Sequence, residues 1–292
     1  MSTQARRSLI GLFARCGISI RRACVLLSVA RSALGYESRQ VLKDAPLERL
    51  LQRFAQRYPR YGYRRAWVWL RRKGHVVNRK RVHRVWRKVG LSLPHRGPSR
   101  RRWRGPRTAP EAGFPNAVWA CDIVHAYSAD RQVMRCLSVI DEYTRECLAL
   151  VVDRSMSSER VVCCLAELVE RQGAPKYLRT DNGSEFVARR TQEWLRLHGI
   201  EPARIEPGKP WQNGVVESFH RSFRSECLDR EWFLSRTEAS VVIEQFRRIY
   251  NNERPHSSLG YRTPAEIRAN YDTMVDTTTS QSGSQKLESV SV

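Results

Sequence analysis

At 292 residues the chain is long enough for two or three domains, each with its own core. Its formal charge of +23 is gathered at one end: residues 1–110 carry 29 Lys and Arg against three acids (Glu37, Asp44, Glu48), and the rest carry 23 against 26. Solvated faces mix both signs, so a one-sided excess points to a polyanionic partner, nucleic acid ahead of membrane.

The eight cysteines show no Cys-x-x-Cys spacing and fall mostly in apolar runs. This predicts free thiols in a reducing, intracellular setting and argues against a zinc finger. No signal peptide and no apolar run of membrane-spanning length is present, so a soluble protein is expected.

In chain order, Ser19 is placed to cap a helix running through Val29, with Ile20, Ala23, Cys24 and Leu27 as its apolar stripe. A second short helix is expected from Ala30 to Tyr36, and a third over 44–58 with Leu47, Leu50, Leu51 and Phe54 inward. Residues 61–70 form a helical block ending in a turn at Lys73-Gly74-His75. Asn78 then caps a helix closed by Gly90, with Val82, Val85, Trp86 and Val89 facing a core. Arg79, Lys80, Arg81, Arg84, Arg87 and Lys88 fill its remaining surface. Helix, glycine turn and basic helix suit a helix-turn-helix whose second helix lies on nucleic acid, with Arg64 and Arg65 on the preceding helix as further contacts. Residues 94–116 hold five Pro, three Gly and Arg100, Arg101, Arg102 and Arg104, the composition of an extended linker lying on phosphates.

From residue 117 the pattern becomes mixed α/β. Strands are expected over 117–126, 133–141 and 146–153, then a helix over 157–172, a strand over 176–180, a helix over 185–198 and a strand near 202–206. A long helix begins around Gln212, another spans 237–250, and residues 272–292 are a Ser/Thr-rich tail without periodicity, expected to be disordered. The domains expected are therefore 1–58, 59–93, the linker 94–116, a core over 117–271 and the tail 272–292.

Three acids stand in distinctive settings: Asp122 in Trp119-Ala120-Cys121-Asp122-Ile123-Val124, Asp181 in Arg179-Thr180-Asp181-Asn182-Gly183-Ser184-Glu185-Phe186, and Glu217 in Asn213-Gly214-Val215-Val216-Glu217-Ser218-Phe219. Asp122 falls in a strand and Asp181 at a strand end, where ligands sit in α/β sheets; Asn182-Gly183 makes a turn and Ser184 is placed to cap the next helix. Glu217 opens a helix after a rigid Pro207-Gly208-Lys209-Pro210 approach. Such a trio suits two divalent cations, Mg²⁺ or Mn²⁺, because hard cations prefer oxygen donors. Asp130, Asp141 and Glu185 are the acids most easily mistaken for members of it.

These motifs, with Tyr61-Gly62-Tyr63-Arg64-Arg65, Val77-Asn78-Arg79-Lys80-Arg81-Val82, Tyr250-Asn251 and Arg254-Pro255-His256, resemble the second-reading-frame (OrfB type) transposases of insertion-sequence family three over almost the whole chain. The resemblance implies an α/β, RNase H-like catalytic core, a mixed five-stranded sheet with helices, preceded by an all-α helix-turn-helix region. It implies Asp122, Asp181 and Glu217 as catalytic metal ligands, cleavage of element ends, and transfer of the 3′-hydroxyl to a second phosphodiester. It also implies a basic residue seven positions after the glutamate, which Arg224 matches; Lys209, Asn213 and His220 are weaker candidates for contact with DNA. Expected partners are element-end and target DNA, further copies of the chain on paired ends, and an upstream-frame product as a fusion, since no sustained heptad pattern occurs here. A bacterial, nucleoid-associated location would follow. The competing expectation is a catalytically silent DNA-binding regulator derived from such an enzyme.

Overall fold

The computed structural model describes residues 1, 3–35, 40–94, 110–206 and 208–275. They divide into two compact units: Met1–Ala66 with Val76–Ser92, and Trp67–His75 with the chain from Leu93 onward.

The first unit is helical. Helices α1 (Thr3–Arg15) and α2 (Ile20–Leu26) close over Ile10, Ala23, Cys24 and Val29. Ser19 caps α2 by accepting from Arg22 N at 3.4 Å, but the helix stops short of Val29 because Ser28 turns the chain at φ 50°. The helix expected from Ala30 is a single 3₁₀ turn, Arg31–Ala33; Tyr36 lies outside the described residues. α3 (Gln40–Arg57) begins a turn earlier than expected and buries Asp44 together with Leu47, Leu51 and Phe54, leaving Leu50 half-buried. α4 (Tyr63–Arg72) runs from this unit into the other. α5 (Arg79–Lys88) is capped by Asn78, whose Oδ1 accepts from Lys80 N at 2.8 Å, and Val82, Val85 and Trp86 are buried as expected. α3 and α5 pack together, with Phe54 and Trp86 meeting edge to face.

The second unit is built on a five-stranded sheet in the order β3-β2-β1-β4-β5. Strands β1 (Val118–Tyr127), β2 (Val133–Asp141) and β3 (Cys147–Asp153) form an antiparallel meander, and β4 (Tyr177–Thr180) and β5 (Glu201–Arg204) run parallel to β1. Between them lie α6 (Ser158–Gln172), α7 (Ser184–Val187) and α8 (Arg189–Leu197). The single helix expected over 185–198 is broken because Ala188 is extended, with ψ 139°. After β5 a 3₁₀ turn, Pro210–Asn213, leads into α9 (Gly214–Phe223), then a π-helical turn, Arg224–Leu228, and α10 (Arg236–Asn252). A last helix, α11 over 264–275, opens with a capping box in which Glu266 N donates to Thr263 Oγ1 at 3.2 Å and Thr263 N to Glu266 Oε2 at 2.7 Å. It takes in residues 272–275, which had been assigned to the tail.

Strand alternation splits the core into two layers. Trp119, Cys121, Leu137 and Val139 face Val161, Leu165 and Leu168 of α6. Ala120, Val124, Ala126, Cys136 and Ile140 face Val216, Phe219 and Phe223 of α9 and Ile243 and Phe246 of α10. The exposed side of edge strand β3 is closed by Asn251, which accepts from Cys147 N and donates to Cys147 O, both at 2.9 Å. All eight cysteines are unpaired, and only Cys16 and Cys163 are exposed. No helix among the described residues is long and apolar enough to cross a membrane.

Candidate active site

Asp122 lies mid-strand in β1, in the row Ala120–Asp122–Val124 that looks toward α9 and α10. Parallel pairing sets Trp119 beside Leu178 and Ala120 beside Arg179; carried two residues further, the same register brings Asp181 level with Asp122. Glu217 sits in the first turn of α9, which packs on β1 and β2. Asp122 feels the other two carboxylates. Burial raises the Asp122 carboxyl to about 6; the Ile123 N–H, 2.7 Å from Oδ1, opposes this, and the charges of Asp181 and Glu217 add to it. Burial likewise pushes the Cys121 thiol well up, with Asp122 and Asp181 contributing. Among the described residues no Lys or Arg is ion-paired with any of the three acids.

Neighbouring carboxylates without a basic partner are what a hard cation would neutralise. Donor type and charge fit Mg²⁺ or Mn²⁺. Among the described residues no three such side chains stand together at metal-holding distance.

The turn after β4 is built around Asp181. Gly183 N donates to Asp181 Oδ1 at 3.0 Å, and Asn182 Nδ2 ties the turn to Ile205 O at 3.1 Å. A Cβ on Gly183 would lie 3.0 Å from both Asp181 Oδ1 and Glu185 Oε2. Ser184, expected to cap the next helix, does not: Gly183 occupies the cap position and Ser184 Oγ donates to Glu185 Oε2 at 3.2 Å. The other acids are spoken for. Asp141 is fully buried and accepts from Asn116 N, Tyr143 N, Thr144 N and Thr144 Oγ1, which makes it the keystone of the β2–β3 turn. Glu185 is paired with Arg135 at 3.1 Å, and Asp130 orders the β1–β2 loop through Ser128 and Gln132 N.

Two residues around Asp122 were not expected there from sequence, in which His220 stood only as a weak candidate for contact with DNA. Ser138, its cross-strand partner, is fully buried, and His220, one turn beyond Glu217, stands with Nδ1 3.6 Å from Asp122 Oδ2. Burial, helped by Arg224, lowers His220 to about 4, so the ring is neutral at neutral pH. Ser138 had one sequence signal, a hydroxyl in the otherwise apolar alternating row Met134, Cys136 and Ile140 of β2. Arg224 is exposed and opens the π-helical turn, with its charge felt at His220 and Cys136.

The remaining basic and polar candidates separate. Asn213 is only 4% exposed and its Oδ1 has no hydrogen-bond partner. Lys209 is exposed but paired with Glu206 at 2.5 Å. On α5, Arg81 and Arg84 do not lie free as expected: both clamp the buried Asp44, at 2.9 and 2.8 Å, and Lys88 pairs with Glu48 at 2.6 Å. A carboxylate 1% exposed needs such neutralisation. Burial alone would raise it; hydrogen bonds from Arg81, Arg84 and Gln40 outweigh that and hold Asp44 below the ordinary range. Arg79, Lys80 and Arg87 stay exposed, without ion pairs among the described residues. Arg64 and Arg65 lie over the rings of Tyr63 and Tyr61 at 5.9 and 4.5 Å. Arg101 and Arg102 lie outside the described residues.

A mixed five-stranded sheet of this order flanked by helices is the fold of an integrase core, and the family comparisons agree. Residues 114–210 and 198–264 each match a model described as an integrase core domain, and residues 42–102 match an HTH-like domain. The uncharacterized 31.7 kDa protein of insertion element IS407 from Burkholderia multivorans is 36% identical over 90% of this chain and 95% of its own length. A 39.2 kDa protein of IS476 from Xanthomonas euvesicatoria is 38% identical over 88% and 74%, and the InsD transposase of IS2 from Escherichia coli is 32% identical over 71% and 73%. The chain belongs to the second-reading-frame transposases of insertion-sequence family three. Among solved structures, the HTLV-2 integrase catalytic core is similar at 16% identity and TM-score 0.42, over 54% of this chain and 99% of that one.

Proposed function

We propose that this transposase is metal-dependent, with Asp122, Asp181 and Glu217 holding two Mg²⁺ or Mn²⁺ ions. Bound there, the cations would activate the attacking oxygen and stabilise the leaving one. The carrying observation is the shared charge of the three acids, which adds to burial in raising Asp122 to about 6 with no Lys or Arg to offset it. Water would cut the element end to leave a 3′-hydroxyl. That oxygen then bonds to the phosphorus of a second phosphodiester while the bond to its old 3′ oxygen breaks, and the departing oxygen takes a proton. No covalent bond to the protein is needed.

DNA would be held by the exposed cations: Arg79, Lys80 and Arg87 on α5, with Arg64 and Arg65 beside them, and Arg224 at the core. Arg81 and Arg84 serve by fixing α5 on α3 through Asp44. Further copies of the chain on paired ends, and the upstream-frame product as a fusion, are the partners this reaction calls for. The test is cleavage and joining of a labelled oligonucleotide carrying the element's own end, in Mg²⁺ or Mn²⁺, comparing wild type with Glu217→Gln. Metal-dependent products lost in the variant support the proposal. Products unchanged in Glu217→Gln would overturn the assignment of the triad, and DNA binding without products, even from the fused chain, would favour a silent regulator.

A further inference from the structure

The sheet face toward α9 and α10 is apolar along β1 and β2 except at one cross-strand pair, Asp122 and Ser138. A hydroxyl buried in such a row is costly unless it is hydrogen-bonded, and an alanine would fit the pattern better. Both contacts of Ser138 lead to Asp122. Its Oγ lies 3.1 Å from the Asp122 carbonyl oxygen and 2.8 Å from His220 Nε2. The other ring nitrogen, Nδ1, stands 3.6 Å from Asp122 Oδ2, and Asp122 Oδ1 accepts from Ile123 N at 2.7 Å. His220 shares α9 with Glu217, one turn away.

We propose that Ser138 and His220 form a brace that positions the Asp122 carboxylate for metal, a role that rests on the metal-dependent reading above. The serine hydroxyl donates its one proton to Nε2, which fixes the rotation of the imidazole and leaves the ring's one N–H on Nδ1, toward Oδ2. The ring then stands against Oδ2 while the Ile123 amide holds Oδ1, so neither carboxylate oxygen swings freely. Because the ring rides on the helix that carries Glu217, the brace also ties that helix to the strand that carries Asp122. His220 is thus a positioning residue and not a ligand: one nitrogen is engaged by Ser138 and the other faces the carboxylate. Partners of this kind around a metal site typically change affinity about 10–100-fold when removed.

The experiment is direct Mn²⁺ binding to the full-length protein, read from the electron paramagnetic resonance of free Mn²⁺, with folding followed by thermal denaturation. His220→Ala is expected to weaken binding about tenfold, and Ser138→Ala less. The double variant is expected to bind no more weakly than His220→Ala, because the serine acts through the ring. Cleavage at saturating Mn²⁺ is expected to recover, so the half-saturating metal concentration moves and the maximal rate does not. Two conservative variants separate positioning from packing and serve if His220→Ala does not fold. His220→Asn places an amide near Nδ1 and retains affinity, whereas His220→Gln reaches only toward Nε2 and loses it. Equal affinity for Asn and Gln, or wild-type affinity in His220→Ala while Asp122→Asn binds nothing, would overturn the brace. Failure of the wild type itself to bind Mn²⁺ would instead remove the metal-dependent reading, and the brace with it.

Discussion

Asp122 and Asp181 are separated in sequence by the same offset that pairs Trp119 with Leu178 and Ala120 with Arg179, so parallel pairing of β1 with β4 brings the two acids level. One lies within a strand and the other just beyond a strand end. Their alignment follows from the strand register, and the third acid, Glu217, is brought over by a helix that has to be packed into place.

The turn that presents Asp181 is tight around Gly183, so that a side chain there would push on its neighbours. Its φ of −58° is open to any residue, so the constraint is steric: an added Cβ would crowd Asp181 Oδ1 and Glu185 Oε2 at 3.0 Å. Gly183→Ala is expected to fold, to melt within a few degrees of wild type, and to lose cleavage by roughly 10–100-fold, since small misplacements at a reacting centre cost that much. Oligonucleotide cleavage alongside thermal denaturation checks this; full activity in the variant would show that the Asp181 carboxylate has freedom to move.

The raised Asp122 carries a pH signature. Its folded value of about 6 exceeds the ~3.9 of an unfolded chain. Between those values the folded state holds more protons, so stability falls as pH rises through about 4 to 6 and stays lower above it. The full shift corresponds to about 3 kcal/mol. Metal-free Asp122→Asn is therefore expected to melt roughly 5 °C above wild type at pH 7.5 and close to it at pH 4, while cleaving nothing. Melting curves of the two proteins at both pH values decide it, and a gap that does not depend on pH would count against the electrostatic account.

The strands were legible because they carry local information, alternating apolar residues and turn residues, and the three acids stood out as candidates by their motif-like surroundings. What stayed hidden depends on tertiary neighbours. The sequence shows Asp44 and a row of arginines, but only the packing of α3 on α5 reveals that Arg81 and Arg84 are committed to that carboxylate. The burial of Asn213, a weak candidate for contact with DNA, depends on its neighbours, and the break at Ala188 is a backbone turn that the helical pattern around it conceals. His220 was visible as a residue one turn from Glu217, yet its contact with Asp122 comes from the way α9 lies on β1.

That division of the basic residues on α5 is testable. Arg79→Ala removes an exposed cation and is expected to weaken DNA binding, to reduce the slope of log affinity against log salt by about one, and to leave melting unchanged. Arg81→Ala strips a hydrogen bond from the buried Asp44 and is expected to cost about 2 kcal/mol of stability. Salt titrations of binding with parallel melting curves separate the two. Equal melting losses in both variants would contradict the assignment.

Arg254 belongs to a motif that resembled the family's, and its work is architectural. It is 6% exposed, grips Glu226 with Nε and Nη2 at 2.8 Å each, and donates to Ser222 Oγ at 2.7 Å. Glu226 lies in the π-helical turn that follows α9 and begins with Arg224. Replacing Arg254 by Ala would strand a buried carboxylate, at about 3–5 kcal/mol. Lysine keeps the charge but supplies a point contact in place of a planar fork, so Arg254→Lys is expected to fold with a lowered melting temperature. If the clamp sets the turn that aims Arg224, Arg254→Lys also loses cleavage at temperatures where it remains folded, with a weaker apparent affinity for the oligonucleotide. Cleavage measured well below the melting transition tests this. Wild-type activity there would confine Arg254 to stability and leave the aim of Arg224 to α9 alone.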